Sequence, residues 1–128
     1  MSGWDPAASA LLDALPKTAR GPRREGIFAL WLTVRVAQDL LGDPPPAERA
    51  HRRRLQALEQ RLSSLTVPPP LRRALVAAVS QLKESRPETA AQVLSQLVAP
   101  AREAGGADAG DAVAQAARAA RTQLRTER

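Results

Sequence analysis

A chain of 128 residues is the size of one ordinary domain, long enough for a single hydrophobic core and too short for two that fold independently. Its hydrophobic fraction of 44% and charged fraction of 25% are those of a folded protein and exclude the polar composition of disorder. The absence of cysteine excludes disulfides, thiolate metal ligands and a cysteine nucleophile.

The net charge of +6 and pI near 11.3 point toward acidic partners, nucleic acid or an anionic surface. Lysine stands only at Lys17 and Lys83, so the excess is arginine. Arginine, alanine, proline and glycine share GC-rich codons, and genome composition alone produces the same bias. Aromatics make up 2%, which leaves a thin aliphatic core of Leu, Ala and Val. The longest apolar run, Ile27 to Val34, falls far short of the roughly 20 residues that span a bilayer. Met1 to Pro6 lacks the basic-then-apolar order of a secretion signal, and the expected location is cytoplasmic.

Prolines punctuate the chain, because each fixes φ, removes a donor and suits a helix start. Asp5-Pro6 reads as an N-cap and first helical residue of a short helix through Leu11, Leu12 and Leu15, stopped by Pro16. Pro22 opens a second helix to Leu41, with Gly42 as its stop. Pro44 to Pro46 lead into a third, Ala47 to Leu65, and Pro68 to Pro70 separate it from a fourth, Leu71 to Glu84. Ser85 and Glu88 have capping-box spacing and start a fifth, which Pro100 kinks or ends. Gly105-Gly106 is a flexible break, after which Asp108 or Asp111 caps an Ala-rich helix to about Arg125. No segment alternates long enough to be a strand.

The fold expected is all-α, a compact bundle of five to six helices in one domain over 1-128. The helix over 22-41 is central, because its apolar residues sweep nearly the whole circumference and leave a strip holding Arg35 and Asp39. Leu55, Leu58, Leu62 and Leu65 form a stripe resembling a coiled-coil seam. Leu71, Leu75, Val79 and Leu82, and then Val93, Leu94, Leu97 and Val98, give the next two helices their inner faces. The last helix, within 105-128, offers only Val113 and Leu124 among alanines and is expected to dock loosely. Proline-led starts about 40 residues apart allow an alternative of three HEAT-like helical hairpins.

Catalysis needs positioned acid–base groups, a nucleophile or a metal, and candidates are scarce. The one histidine, His51, lies in the leucine stripe and reads as a core residue, with a pH switch as the functional alternative. Carboxylates sit where caps need them, the glycines form no phosphate loop, and Ser63, Ser64 and Ser80 have no base within helical reach. The reading is therefore no enzyme, no cofactor and no metal.

Basic residues carry the positive signal. Residues 43 to 84 hold eight basic and four acidic side chains. Arg23 and Arg24, Arg52, Arg53 and Arg54, and Arg72 and Arg73 stand at helix starts, where cations oppose the helix dipole unless an anion is bound. Arg118, Arg121 and Arg125 share a face of the last helix, where the dipole favours them without a ligand. Trp4 and Trp31 look isolated, with Trp31 in the core, so no aromatic interleaves to stack a base. Two functions follow: a non-catalytic helical interaction or assembly subunit using Leu55, Leu58, Leu62 and Leu65, through a protein partner or self-association; or an accessory protein binding the nucleic-acid phosphate backbone through these arginines.

Overall fold

The computed structural model describes residues 22–42 and 45–126, and side chains for 24–42 and 45–125. The expected helix from Asp5 to Pro16 lies outside the described residues. The described chain is all-α, a bundle of five helices: α1 (Pro22–Asp39), α2 (Glu48–Ser64), α3 (Pro69–Leu82), α4 (Pro87–Gln96) and α5 (Val98–Thr126).

α1 is the centre and touches each of the other four. Ile27, Ala29, Leu30, Val34 and Ala37 are fully buried along it, and Arg35 is exposed on its polar strip. Thr33 is tolerated in this apolar surround because its hydroxyl donates to the Ala29 carbonyl at 2.9 Å. A stack of hairpins would touch only its sequence neighbours. A helix in contact with all the others rules out the HEAT-like arrangement and makes this a bundle.

Named contacts fix the helix directions. Arg61 near the end of α2 lies over Phe28 near the start of α1, and Arg54 near the start of α2 pairs with Asp39 at the end of α1, so the two run antiparallel. α3 reverses again: the Leu82 carbonyl at its end meets His51 at the start of α2. α1 and α3 approach closely at their starts. A Cβ on Gly26 would stand 3.1 Å from Leu71 and 3.3 Å from Pro68, tighter than side chains normally allow.

The prolines act as helix starts, and α3 begins at Pro69, two residues before the Leu71 start expected. Pro69 and Pro70 lie inside the first turn of α3, where a missing N–H costs nothing. Pro87 holds the preceding Arg86 extended, at φ −119° and ψ 138°, and so makes Arg86 the N-cap. The capping box expected from Ser85 and Glu88 does not form, since α4 has no side-chain cap. Pro100 neither kinks nor ends α4; the helix stops at Gln96, and Pro100 falls in the first turn of α5.

α5 consists of two limbs, 98–105 and 107–126, that reverse on Gly106 at φ 82° and ψ −171°. Such backbone is open essentially to glycine alone. The second limb folds back along the first and along α4: Asp111 comes to 3.7 Å from Arg102, and Arg121 reaches Ser95. Asp111 lies inside this limb rather than at its start, and its pair with Arg102 spans the reversal. The alanines of this limb form its inner face, with Ala109, Ala112, Ala116, Ala117 and Ala120 all buried beside Val113. Its far end is tied to α1 by Gln123, whose amide donates to the Leu41 carbonyl.

Candidate interaction surface

The arginines singled out from the sequence do not converge. Arg24, Arg72 and Arg73 sit at the end of the bundle where α1 and α3 begin; Arg52, Arg53 and Arg54 sit at the opposite end, where α2 begins. The 18 residues of α1 put roughly 27 Å between these ends. Arg125 belongs near the second end, close to Gln123 and its Leu41 contact, with Arg121 and Arg118 further back along the same limb. Arg23 lies in the first turn of α1, and its side chain is outside the described residues.

Several of these cations have partners within the chain. Arg52 donates to Glu48 at 2.7 Å, and Arg54 to Asp39 at 3.0 Å. Arg72 donates to the Leu62 carbonyl at 3.0 Å and to the Leu65 carbonyl at 2.6 Å. Those carbonyls belong to the last turn of α2 and its C-cap, where the dipole favours a cation. A residue placed unfavourably on its own helix is thus favourably placed on its neighbour's end. Arg24, Arg53, Arg73, Arg118 and Arg125 are exposed and make no ion pair among the described residues.

The leucine stripe is filled from within the chain. Leu55, Leu58 and Leu62 are 3%, 3% and 5% exposed, and Leu65 packs half-buried at the edge of the same core. His51 continues the stripe and is fully buried. Because a carbonyl can only accept, Nε2 donates to the Leu82 carbonyl at 2.7 Å, and Nδ1 is buried with no hydrogen-bond partner among the described residues. The ring thereby ties the start of α2 to the end of α3.

Trp31 is not isolated in the core. It is half-buried and stacks on Phe28, with ring centroids 5.9 Å apart; Arg35 lies 5.8 Å above Trp31, and Arg61 lies 5.2 Å above Phe28. Phe28 and Trp31 stand three apart on α1 and Arg35 four further on, a helical spacing that could have exposed the cluster in the sequence. Arg61 comes from α2 and leaves no such sign. Arginine on an aromatic face adds about 0.5–1 kcal/mol at exposed sites, which fastens α2 to α1.

The polar seam beside this cluster holds Asp39. Burial pushes its carboxyl above the ordinary value of 3.8, against the opposing pull of Arg54 first, Arg35 next, and the nearby His51 ring. Among the described residues, no group of three His, Asp or Glu side chains is placed to hold a metal ion, and no helix is long and apolar enough to cross a membrane.

Among the described residues, open depressions include two beside the helices. One, of about 310 Å³, lies between the end of α1 and the second limb of α5, where Leu41, Ala119 and Ala120 line it. The other, of about 370 Å³, runs between α2 and α3. Leu62, Val76 and Val79 give the second an apolar floor, and Glu59, Arg72 and Lys83 rim it. Val76 is 55% exposed, the one large aliphatic side chain so open to solvent among the described residues. Ser63 and Ser80, also on its walls, keep the groove accessible; Ser63 satisfies its hydroxyl on the Glu59 and Gln60 carbonyls. The sequence offered one signal for the site, a valine between the buried Leu75 and Val79 that lies off the inner face of α3.

No protein-family model matches the chain, and no curated protein or solved structure matches it.

Proposed function

We propose that this protein is a non-catalytic helical interaction subunit that receives a partner in the α2–α3 groove. The observation that supports this is Val76, exposed over an apolar floor of Leu62 and Val79 and framed by charged residues. An apolar centre within a polar rim is the usual anatomy of a protein interface. Leu55 and Leu58 are buried in the core, and of the leucine stripe Leu62 lines the groove, where α2 meets Val76 and Val79 of α3.

A photo-crosslinking amino acid at Ser80 tests the reading in the cells that make the protein, with a control at Gln92, exposed on α4. The expected result is an adduct of defined mass from position 80, absent from position 92 and lost when Val76→Glu is added. Identical adducts from both positions would sink the reading.

Arg118, Arg121 and Arg125 favour a second reading, in which the exposed face of α5 contacts the phosphate backbone of nucleic acid. None of the three pairs with a carboxylate among the described residues. Backbone contacts of this kind lose affinity steeply with salt, with a log–log slope of roughly −0.7 to −0.9 per phosphate. Replacing all three with Gln should reduce the slope by about 2–3. Failure of generic RNA and duplex DNA to bind at low salt would eliminate this function.

A further inference from the structure

Resting on the groove reading above, we infer that the occupant of the α2–α3 groove is an acidic amphipathic helix of about three turns. The length follows from the groove itself. Arg72 closes one end by bonding the last carbonyls of α2, and Lys83 stands at the other, at the C-cap of α3. Eleven residues of helix separate them, roughly 16 Å, the length over which a helix presents apolar anchors at i, i+3 or i+4 and i+7. Two antiparallel helices with an apolar trough between them accept a third helix by the same packing that builds the rest of the bundle.

The charge follows from what borders the trough. Arg72 bonds two neutral carbonyls, so no carboxylate cancels its charge. Arg73, on the same turn, is exposed and makes no ion pair among the described residues. Lys83 meets Glu59 at 3.7 Å, but both side chains are at least half exposed, 63% and 50%, and a pair so solvated is readily exchanged for another acid. One acidic group therefore faces two cations around the apolar centre, and the exposed Arg73 on the adjoining turn adds a third positive charge beside the groove. A partner with leucine-like anchors on one face and Asp or Glu beside them satisfies both, whereas a basic partner would bring like charges together at both ends of the groove.

The test uses the full chain as bait for a displayed library of random helical peptides, with the Val76→Glu protein as the counter-bait. Val76 is exposed, so that variant keeps the core, which a thermal melt verifies. The expected outcome is a set of peptides with apolar residues at helical spacing and a net negative charge. Their affinity should fall at least roughly tenfold on Val76→Glu and weaken with added salt. The double variant Arg73→Glu with Lys83→Glu should lose these peptides and gain basic-flanked versions of the same sequences. Recovery of neutral or basic peptides, or enrichment indifferent to Val76→Glu, would overturn the inference. A Ser80 adduct formed in cells alongside that result would leave the groove as a docking site while removing its preference for acid.

Discussion

The two halves that flank α1 solve the same packing problem with opposite side chains. On one side, α2 and α3 bury leucines, among them Leu55, Leu58, Leu62, Leu75 and Leu82, each contributing about 1.5–3 kcal/mol by leaving water. On the other, the second limb of α5 buries Ala109, Ala112, Ala116, Ala117 and Ala120, whose single methyls remove far less area. Yet the alanine face is just as enclosed, at 2% exposure or less, because small side chains let backbones approach. Area alone makes the last helix a weak member; proximity shows what it gains in return. Long side chains fill the space between helices, whereas alanines eliminate that space.

The halves should therefore fail in opposite directions when mutated. The largest loss is expected from truncating the leucine half: Leu75→Ala, at a fully buried position, should lower the unfolding free energy by about 2–5 kcal/mol in a urea titration. Enlargement should be the damaging change on the other side. Ala112→Leu forces a side chain into a contact with no room and should cost about 1–3 kcal/mol. The same substitution at Ala119, which lines the open cleft beside α1, should be neutral or stabilising. Equal effects at 112 and 119 would show that the alanine face is loose, and the contrast between the halves would collapse.

What could be read from residue order alone divides along physical lines. Helices and their inner faces were legible, because proline chemistry and leucine spacing are local properties: His51 lies in the leucine stripe by count, and the structure buries it there. Gly106 was legible as a break but not as a reversal, since the break follows from glycine and the reversal from a partner helix. The arginines were the least legible. Arg72 at the start of α3 opposes its own dipole, and only the arrival of the α2 C-terminus at Leu62 and Leu65 reverses that judgement. Trp31 needed Arg35, visible one turn away, and Arg61, brought from another helix. Capping boxes fail for a related reason, because Pro87 dictates the N-cap before Ser85 can act. The groove carries the weakest trace of all, a single valine between residues of the buried face.

The smallest effect concerns the charge that the leucine half covers and the alanine half lacks. Asp39 closes the polar strip of α1 against α2, where burial outweighs Arg54 and Arg35 and raises its pKa. The folded protein then holds the proton more tightly than the unfolded chain does. Asp39 favours the fold while protonated, below its ordinary value near 3.8, and loses that contribution as pH climbs through the raised folded-state value. At neutral pH the ionised carboxylate works against the fold, offset by a 3.0 Å pair with a half-exposed Arg54 that adds at most about 1 kcal/mol. Asp39→Asn should hold or slightly raise the melting temperature near neutral pH, and wild type should gain on the variant as the pH is brought below about 4. If the substitution instead lowers stability at neutral pH and the deficit closes on acidification, attraction to Arg54 has won over burial, and the polar seam contributes to α1–α2 packing as its leucines do.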